Sequence, residues 1–232
     1  MEAPSFSLII PAAGVGRRMG TDTPKPYLML KGKSILEHTL SCFSGLDSLQ
    51  QVIVSTSASY RDQTNEILER LFGDIETVVV QGGKRRQDSI YNAFQKVSDS
   101  IQYVAVHDAV RPFIKSDKIV ECLNRSKKTG GAIIGVPVKD TIKQVDADCM
   151  IVGTPDRSRL WQAQTPQIFK KGLYGKAYTY AMEHDVEVTD DASLFEAFGK
   201  NVEIVEGDRE NFKLTYPIDF QIAEMLVDTF KA

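Results

Sequence analysis

The feature that most constrains this chain is its alternation of short apolar runs with longer stretches of helical spacing. Runs of strand length occur at Phe6–Pro11 and at residues 51–55, 77–80, 103–107 and 132–138. Most are separated by segments whose apolar residues recur at three- and four-residue intervals, and that alternation is the mark of an α/β fold. Local signals sharpen the pattern. Ser34, followed three residues later by Glu37, reads as a capping box opening a helix that runs to about Phe43. Ser116 reads as the cap of a helix ending near Gly130. Residues 202–206 form a further expected strand, and Pro217 suits the first turn of a closing helix through Phe230.

Between Val138 and Trp161 the pattern changes. Residues 141–145, a polar turn at 146–148 and residues 150–152 read as a two-stranded excursion rather than another strand-helix unit. An isolated hairpin is marginally stable in water, so this arm, spanning 138–160, is expected to pack on a partner, a second subunit being the obvious candidate. A length of 232 residues otherwise favours one domain over the whole chain, 1–232.

Composition narrows the function classes. Apolar residues at 42% and charged residues at 25% fit a globular chain and exclude disorder. A net charge of -3 with no basic run argues against nucleic-acid or anionic-membrane partners. Cys42, Cys122 and Cys149 are odd in number, far apart and in no Cys-x-x-Cys spacing, which disfavours both a disulfide framework and a structural zinc site. The apolar stretch 6–10 is too short for a signal-peptide core, and no stretch reaches membrane-spanning length. A soluble, cytoplasmic protein is expected.

The chemistry concentrates first at Pro11 to Tyr27. A buried strand runs into Ala12-Ala13-Gly14-Val15-Gly16, then Arg17 and Arg18, with Lys25 set between Pro24 and Pro26. Small residues let backbone N–H groups approach an oligophosphate, and the cations supply charge and donors. Two prolines restrict the backbone around Lys25, so less entropy is lost when it meets a phosphate. A dinucleotide fingerprint would need glycine where Met19 stands, and a Walker A loop needs Gly-Lys-Ser/Thr; neither is present. A lone Gly-x-Gly is most often a surface turn, but with Arg17, Arg18 and Lys25 added a phosphate grip is the stronger reading.

Gln81 to Ser89 follows a strand and opens a helix, which can turn amides and a hydroxyl toward a base or phosphate, or can simply be a loop with a cap. Asp108, in His107-Asp108-Ala109-Val110-Arg111-Pro112, ends a strand where a carboxylate can hold a divalent metal beside phosphates. His107 itself reads as a satisfied, partly buried histidine. Thr189-Asp190-Asp191 reads as a helix start. Lys139, Asp140, Thr141 and Arg157 read by default as solvated strand ends, and Lys213 as a surface lysine.

Taken together, the Ala12–Met19 segment, Pro24-Lys25, Gly82-Gly83, Ser89, the His107–Pro112 segment, Pro137–Thr141, Gln164-Thr165-Pro166-Gln167, Thr189–Ser193 and Asn211-Phe212-Lys213 closely resemble the 2-C-methyl-D-erythritol 4-phosphate cytidylyltransferases. The resemblance is ordered and spans nearly the whole chain. It implies a Rossmann-like nucleotidyltransferase fold, with a mostly parallel sheet flanked by helices and an extended β-arm. It also implies a homodimer joined through that arm, and Mg²⁺-dependent transfer from CTP to a small sugar-alcohol phosphate in non-mevalonate isoprenoid synthesis. By position, Ala12, Ala13, Gly14 and Gly16 would line the CTP site, with Gly83 and Ser89 near the cytosine. Arg18, Lys25 and Lys213 would act on the reacting phosphates, and Asp108 would hold the metal. Arg111, Thr141, Arg157 and Thr189 would lie near the acceptor, Thr141 and Arg157 arriving from the other subunit. Pro26, Val110 and Lys84 stand where the family usually has glutamine, alanine and an acidic residue. Relatives acting on ribitol 5-phosphate share much of the pattern, and a nucleotide-binding protein without catalysis is the reading from another class.

Overall fold

The structure, a computed structural model, describes residues 4–14 and 23–230. Its strands are β1 (Phe6–Pro11), β2 (Met29–Leu30), β3 (Lys33–Ser34), β4 (Leu49–Thr56), β5 (Glu76–Gln81), β6 (Tyr103–Val106), β7 (Gly131–Pro137), β8 (Gln144–Val145), β9 (Ile151–Gly153), β10 (Trp161–Lys170) and β11 (Glu203–Glu206). Its helices are α1 (Ile35–Ser41), α2 (Arg61–Phe72), α3 (Arg86–Phe94), α4 (Ser116–Thr129), α5 (Lys171–Glu183), α6 (Asp191–Ala197) and α7 (Pro217–Leu226).

Seven strands form one sheet in the order β11-β7-β10-β6-β1-β4-β5. All neighbours pair in parallel except β10, which runs against both β6 and β7. Period-2 alternation decides which face each strand residue serves. Phe6, Leu8 and Ile10 of β1, with Val52 and Val54 of β4, face a core completed by Leu36 and Leu40 of α1, Ile67 of α2 and Ile119 of α4. Ile9 and Ile53 face the opposite core, against Ile90 of α3, Tyr174 and Tyr178 of α5, and Phe195 of α6. Helices thus cover both faces, as buried parallel strands require.

From β1 the chain builds outward through β4 to β5, then returns to place β6 on the other side of β1. That reversal opens a crevice beyond the carboxyl ends of β1 and β6, where ligands of open α/β sheets bind. The expected α/β alternation therefore holds, with each anticipated strand of the main sheet present to within a residue or two at its ends, whereas the first strand of the excursion, anticipated over 141–145, is only Gln144–Val145.

Several local readings are corrected. Ser34 does cap α1, accepting from the Glu37 N–H at 3.1 Å. The Glu37 carboxylate, however, pairs with Arg70 at 3.0 Å rather than closing a capping box. Ser116 is the first helical residue of α4, not its cap; Lys115 holds that position without a side-chain cap bond. The helix does end at Gly130, whose φ of 86° is the left-handed conformation that glycine adopts without steric cost. The closing helix stops at Leu226 rather than Phe230.

The excursion is a short antiparallel pair, β8 with β9. Asp146 Oδ1 shapes its turn by accepting from the N–H groups of Asp148 and Met150 at 3.0 and 2.9 Å. Val145, Met150, Ile151 and Val152 are exposed on it. The arm leaves the sheet after Pro137 and returns at Trp161, residues that pair with each other across β7 and β10. Among the described residues, no helix is long and apolar enough to cross a membrane, and the three cysteines are free thiols.

Candidate active site

Three turns meet at the crevice. The first leaves β1, where the Ala12 N–H is donated back to the Ser55 carbonyl at 2.7 Å, continuing the β1–β4 ladder by one residue. Ala13 and Gly14 face the crevice, whereas Ala12 is buried behind them and forms no part of its wall. The second turn leaves β5. A methyl group on Gly82 would collide with the Cβ of Ala13, and one on Gly83 with the Cβ of Asp88, so both glycines are needed for these turns to close. Ser89 Oγ accepts from the Gly83 N–H at 3.0 Å and donates to the Arg85 carbonyl at 3.1 Å. Its hydroxyl proton is thus spent holding the turn, and what the turn offers a ligand is backbone.

The third turn leaves β6 and carries Asp108, buried at the crevice floor. Arg86 Nε lies 3.4 Å from its Oδ1, while Arg111 Nε and Lys213 Nζ lie 3.3 and 3.1 Å from its Oδ2. Burial pushes this carboxyl up. The charges of Arg86, Lys213 and Arg111 outweigh that and hold it well below the usual carboxylate range, so it is ionised. Arg111 also donates to the Asn211 carbonyl at 2.8 Å.

His107 explains how the turn keeps its shape. Its Nε2 is 3.0 Å from the Arg111 carbonyl, which can only accept, so the proton sits on Nε2. Nδ1 therefore accepts from Thr165 Oγ1 at 3.0 Å, and that oxygen accepts the Asp108 N–H at 3.0 Å. The imidazole is wholly buried, and burial lowers its pKa to about 4. A neutral histidine with both nitrogens occupied is a clamp on the Asp108–Arg111 turn; it is satisfied, as expected, but wholly rather than partly buried.

Lys25 lies in a 3-10 turn, Lys25–Tyr27, entered from Pro24. The far end of the turn is pinned by Tyr27, which stacks on Tyr60 with ring centroids 4.1 Å apart and hydrogen-bonds Thr56 and Thr64 at 2.5 and 2.9 Å. Lys25 is only 8% exposed, and its Nζ donates to the Thr215 carbonyl at 2.5 Å. The segment 211–216 therefore supplies Lys213 and also the carbonyl that receives Lys25.

Ala13, Gly14, Lys25, Gly83, Ser89, Asp108 and Lys213 thus line one cavity of about 460 Å³. Gly16 and Arg18 lie outside the described residues. Arg111 reaches the floor through Asp108. Thr189 is exposed in the turn before α6, whose N-cap Asp190 accepts from the Ser193 N–H at 3.0 Å. Thr141 and Arg157 are exposed on the excursion, with Arg157 donating to the Lys139 carbonyl at 2.9 Å. Within one chain they are not part of the cavity wall.

Sequence reasoning missed Arg86. It bridges Asp108 to Asp191 of α6, 2.9 Å away, and Asp191 in turn accepts from Tyr174 at 2.5 Å. Burial lowers the Arg86 pKa, but Asp191 and Asp108 more than reverse this, so the guanidinium stays charged. A signal was available: Arg86 precedes the inward-facing Ser89 and Ile90 by three and four residues, which puts it on the buried face of α3.

Lys25, Lys84, Arg85, Arg86 and Lys213 against the single carboxylate Asp108 leave the wall with excess positive charge. Among the described residues the wall holds no histidine and no second acid to move protons, and a cavity with this excess of cations suits an anionic ligand. On the carboxyl edge of such a sheet it defines an α/β nucleotide-handling transferase. The chain belongs to the 2-C-methyl-D-erythritol 4-phosphate cytidylyltransferase family, whose model (IspD: 2-C-methyl-D-erythritol 4-phosphate cytidylyltransferase) matches residues 6–229. The enzyme of that name from Caldanaerobacter subterraneus is 39% identical over 224 residues, 96% of this chain and 99% of its own. The crystal structure of a 4-diphosphocytidyl-2C-methyl-D-erythritol synthase from Anaerococcus prevotii superposes with a TM-score of 0.87 at 29% identity, over 97% of each chain. That of the cytidylyltransferase from Francisella tularensis gives 0.80 at 33% identity, over 95% of this chain and 99% of its own. The protein is a cytidylyltransferase of non-mevalonate isoprenoid synthesis.

Proposed function

We propose that the cavity between β1, β5 and β6 binds CTP and 2-C-methyl-D-erythritol 4-phosphate and joins them by displacement at the α-phosphorus. A bond forms from an acceptor phosphate oxygen to that phosphorus, the bond to the β-phosphate bridging oxygen breaks, and pyrophosphate leaves. The acceptor monoester has a second pKa of about 6 and is largely dianionic at neutral pH, so it needs no general base. The obstacles are repulsion between two anions and charge accumulating in flight, which fixed cations relieve. The observation that carries the reading is the four-part floor: ionised Asp108 with Arg86, Arg111 and Lys213 within 3.4 Å.

In this reading Lys25, Lys213 and Arg18 stabilise the phosphates, and the amides of Ala13, Gly14, Gly16 and Gly83 approach the nucleotide, with Ser89 holding the turn. Ala12 supports the site from behind. Arg111 and Thr189 serve the acceptor, joined by Thr141 and Arg157 from a second subunit. The exposed apolar residues of 138–160 support that segment as the dimerising arm of a single catalytic domain. Asp108, an ionised carboxylate on the cavity wall, is the residue that would hold Mg²⁺, an ion ordinarily held by one or two carboxylates plus substrate phosphates. Bound there, the ion would neutralise phosphate charge.

Pyrophosphate release tests the reading. CTP, Mg²⁺ and 2-C-methyl-D-erythritol 4-phosphate should give turnover, and ribitol 5-phosphate in its place should not. Lys25→Ala should lower kcat on the order of 100-fold, the cost of one preorganised electrostatic group. Release only with ribitol 5-phosphate, or full turnover without Lys25, would overturn it.

A further inference from the structure

We infer that Asp219, at the start of α7, is a positioning residue for the Lys25 ammonium. Its Oδ2 accepts from the N–H groups of both Thr215 and Tyr216, each at 2.7 Å. The Tyr216 N–H and the Thr215 carbonyl belong to one peptide unit. In a planar trans peptide these two groups point in opposite directions. Anchoring the N–H on Asp219 therefore aims the carbonyl away from α7, and the group it meets is Lys25 Nζ, 2.5 Å away.

The carboxylate does more than fix a direction. It lies at the positive end of the peptide dipole and the ammonium at the negative end, so carboxylate, peptide and ammonium form a line in which each partner polarises the next. Other contacts hold the same segment in register. Leu214 N–H is donated to the Val110 carbonyl at 2.9 Å, and Thr215 Oγ1 donates to the Lys213 carbonyl at 3.1 Å. None of these orients the 215–216 peptide itself. Pro217, first in α7, has no N–H to compete for the carboxylate.

The inference rests on the catalytic reading of Lys25, and a double-mutant cycle separates the two. kcat for pyrophosphate release is measured for the intact enzyme, for Asp219→Asn and Asp219→Ala, and for each in a Lys25→Ala background. Asn keeps one acceptor oxygen and loses the charge; Ala loses both. Asp219→Ala should lower kcat roughly tenfold or more, as misplacement of a catalytic group does, with Asp219→Asn between it and the intact enzyme. In the Lys25→Ala background both substitutions should change kcat less than about twofold, because the group they position is gone. A residue that merely capped the helix would cost the same factor in both backgrounds, and that result overturns the inference while leaving Lys25 intact. So would an unchanged kcat in both single Asp219 variants. Full activity in Lys25→Ala alone would instead remove the role of Lys25, and that of Asp219 with it. If Asp219→Ala does not fold, the Asn variant carries the same comparison.

Discussion

Acidification should destabilise the protein through one buried imidazole. His107 is neutral in the fold, and its pKa falls from 6.5 to about 4 because burial disfavours the charged form. Protonation would also leave the Thr165 hydroxyl without the nitrogen it donates to and bring a cation beside Arg111. The sign follows from proton uptake. Between 6.5 and about 4 the unfolded chain binds a proton at this histidine and the native chain does not, so the neutral side chain's full contribution is present above 6.5 and is lost as pH falls toward 4. At 1.36 kcal/mol per pH unit that interval amounts to about 3 kcal/mol, a large part of a typical domain stability of about 5–15 kcal/mol. Urea unfolding at closely spaced pH values should show this slope, and a His107→Asn variant should lose most of it. NMR titration of the native imidazole, identified by its absence from that variant, should show no protonation down to pH 5. A midpoint near 6.5 for His107 would refute the reasoning.

Asp108→Asn removes the anion that Arg86, Arg111 and Lys213 share. Leaving the buried Arg111 without its partner should cost about 3 kcal/mol, a fall in Tm of several degrees in a calorimeter for a chain of this size, with kcat reduced on the order of 100-fold; an unchanged Tm would count against the buried pair. Mixing Arg157→Ala subunits with Lys25→Ala subunits should restore part of the lost activity if the arm serves a neighbouring site, whereas no recovery after demonstrated subunit exchange would place Arg157 in its own chain's chemistry.

The strands that read clearly in the sequence are those whose side chains only pack. β1, β4, β6 and β7 are continuous apolar runs because both faces are covered. β10 was not legible, since Gln162, Gln164, Thr165, Pro166 and Gln167 look like a loop and proline is rare inside a sheet. The polarity has a structural cause: these side chains connect the site. Gln164 binds Asn211, Thr165 links His107 to Asp108, and the Gln167 amide binds Asp190 and the start of α6. The ladder between β7 and β10 shifts register between Ala163 and Gln167, which accommodates the proline. Within the site, Asp108, Lys25 and Lys213 could be singled out from residue type and resemblance. Arg86 could not be chosen from Lys84-Arg85-Arg86 by charge, and only its place on α3 separates it. Asp219 was invisible because its work is done through the backbone of two other residues.

The Pro137–Trp161 pairing has a consequence for how such a chain can change. Because departure and return are already adjacent, everything between them is topologically a loop insertion, however structured it is. Its length enters the stability of the parent sheet only through loop closure, at about 0.6 kcal/mol per doubling. The excursion can therefore be lengthened or retipped at almost no thermodynamic penalty to the sheet it leaves. The floor of the crevice has no such latitude, since His107, Asp108 and Arg111 of one turn are wired to Thr165 of β10. Changes in length should accumulate at the tip of the excursion, away from Thr141 and Arg157, and be purged from the floor, even though one continuous polypeptide encodes both.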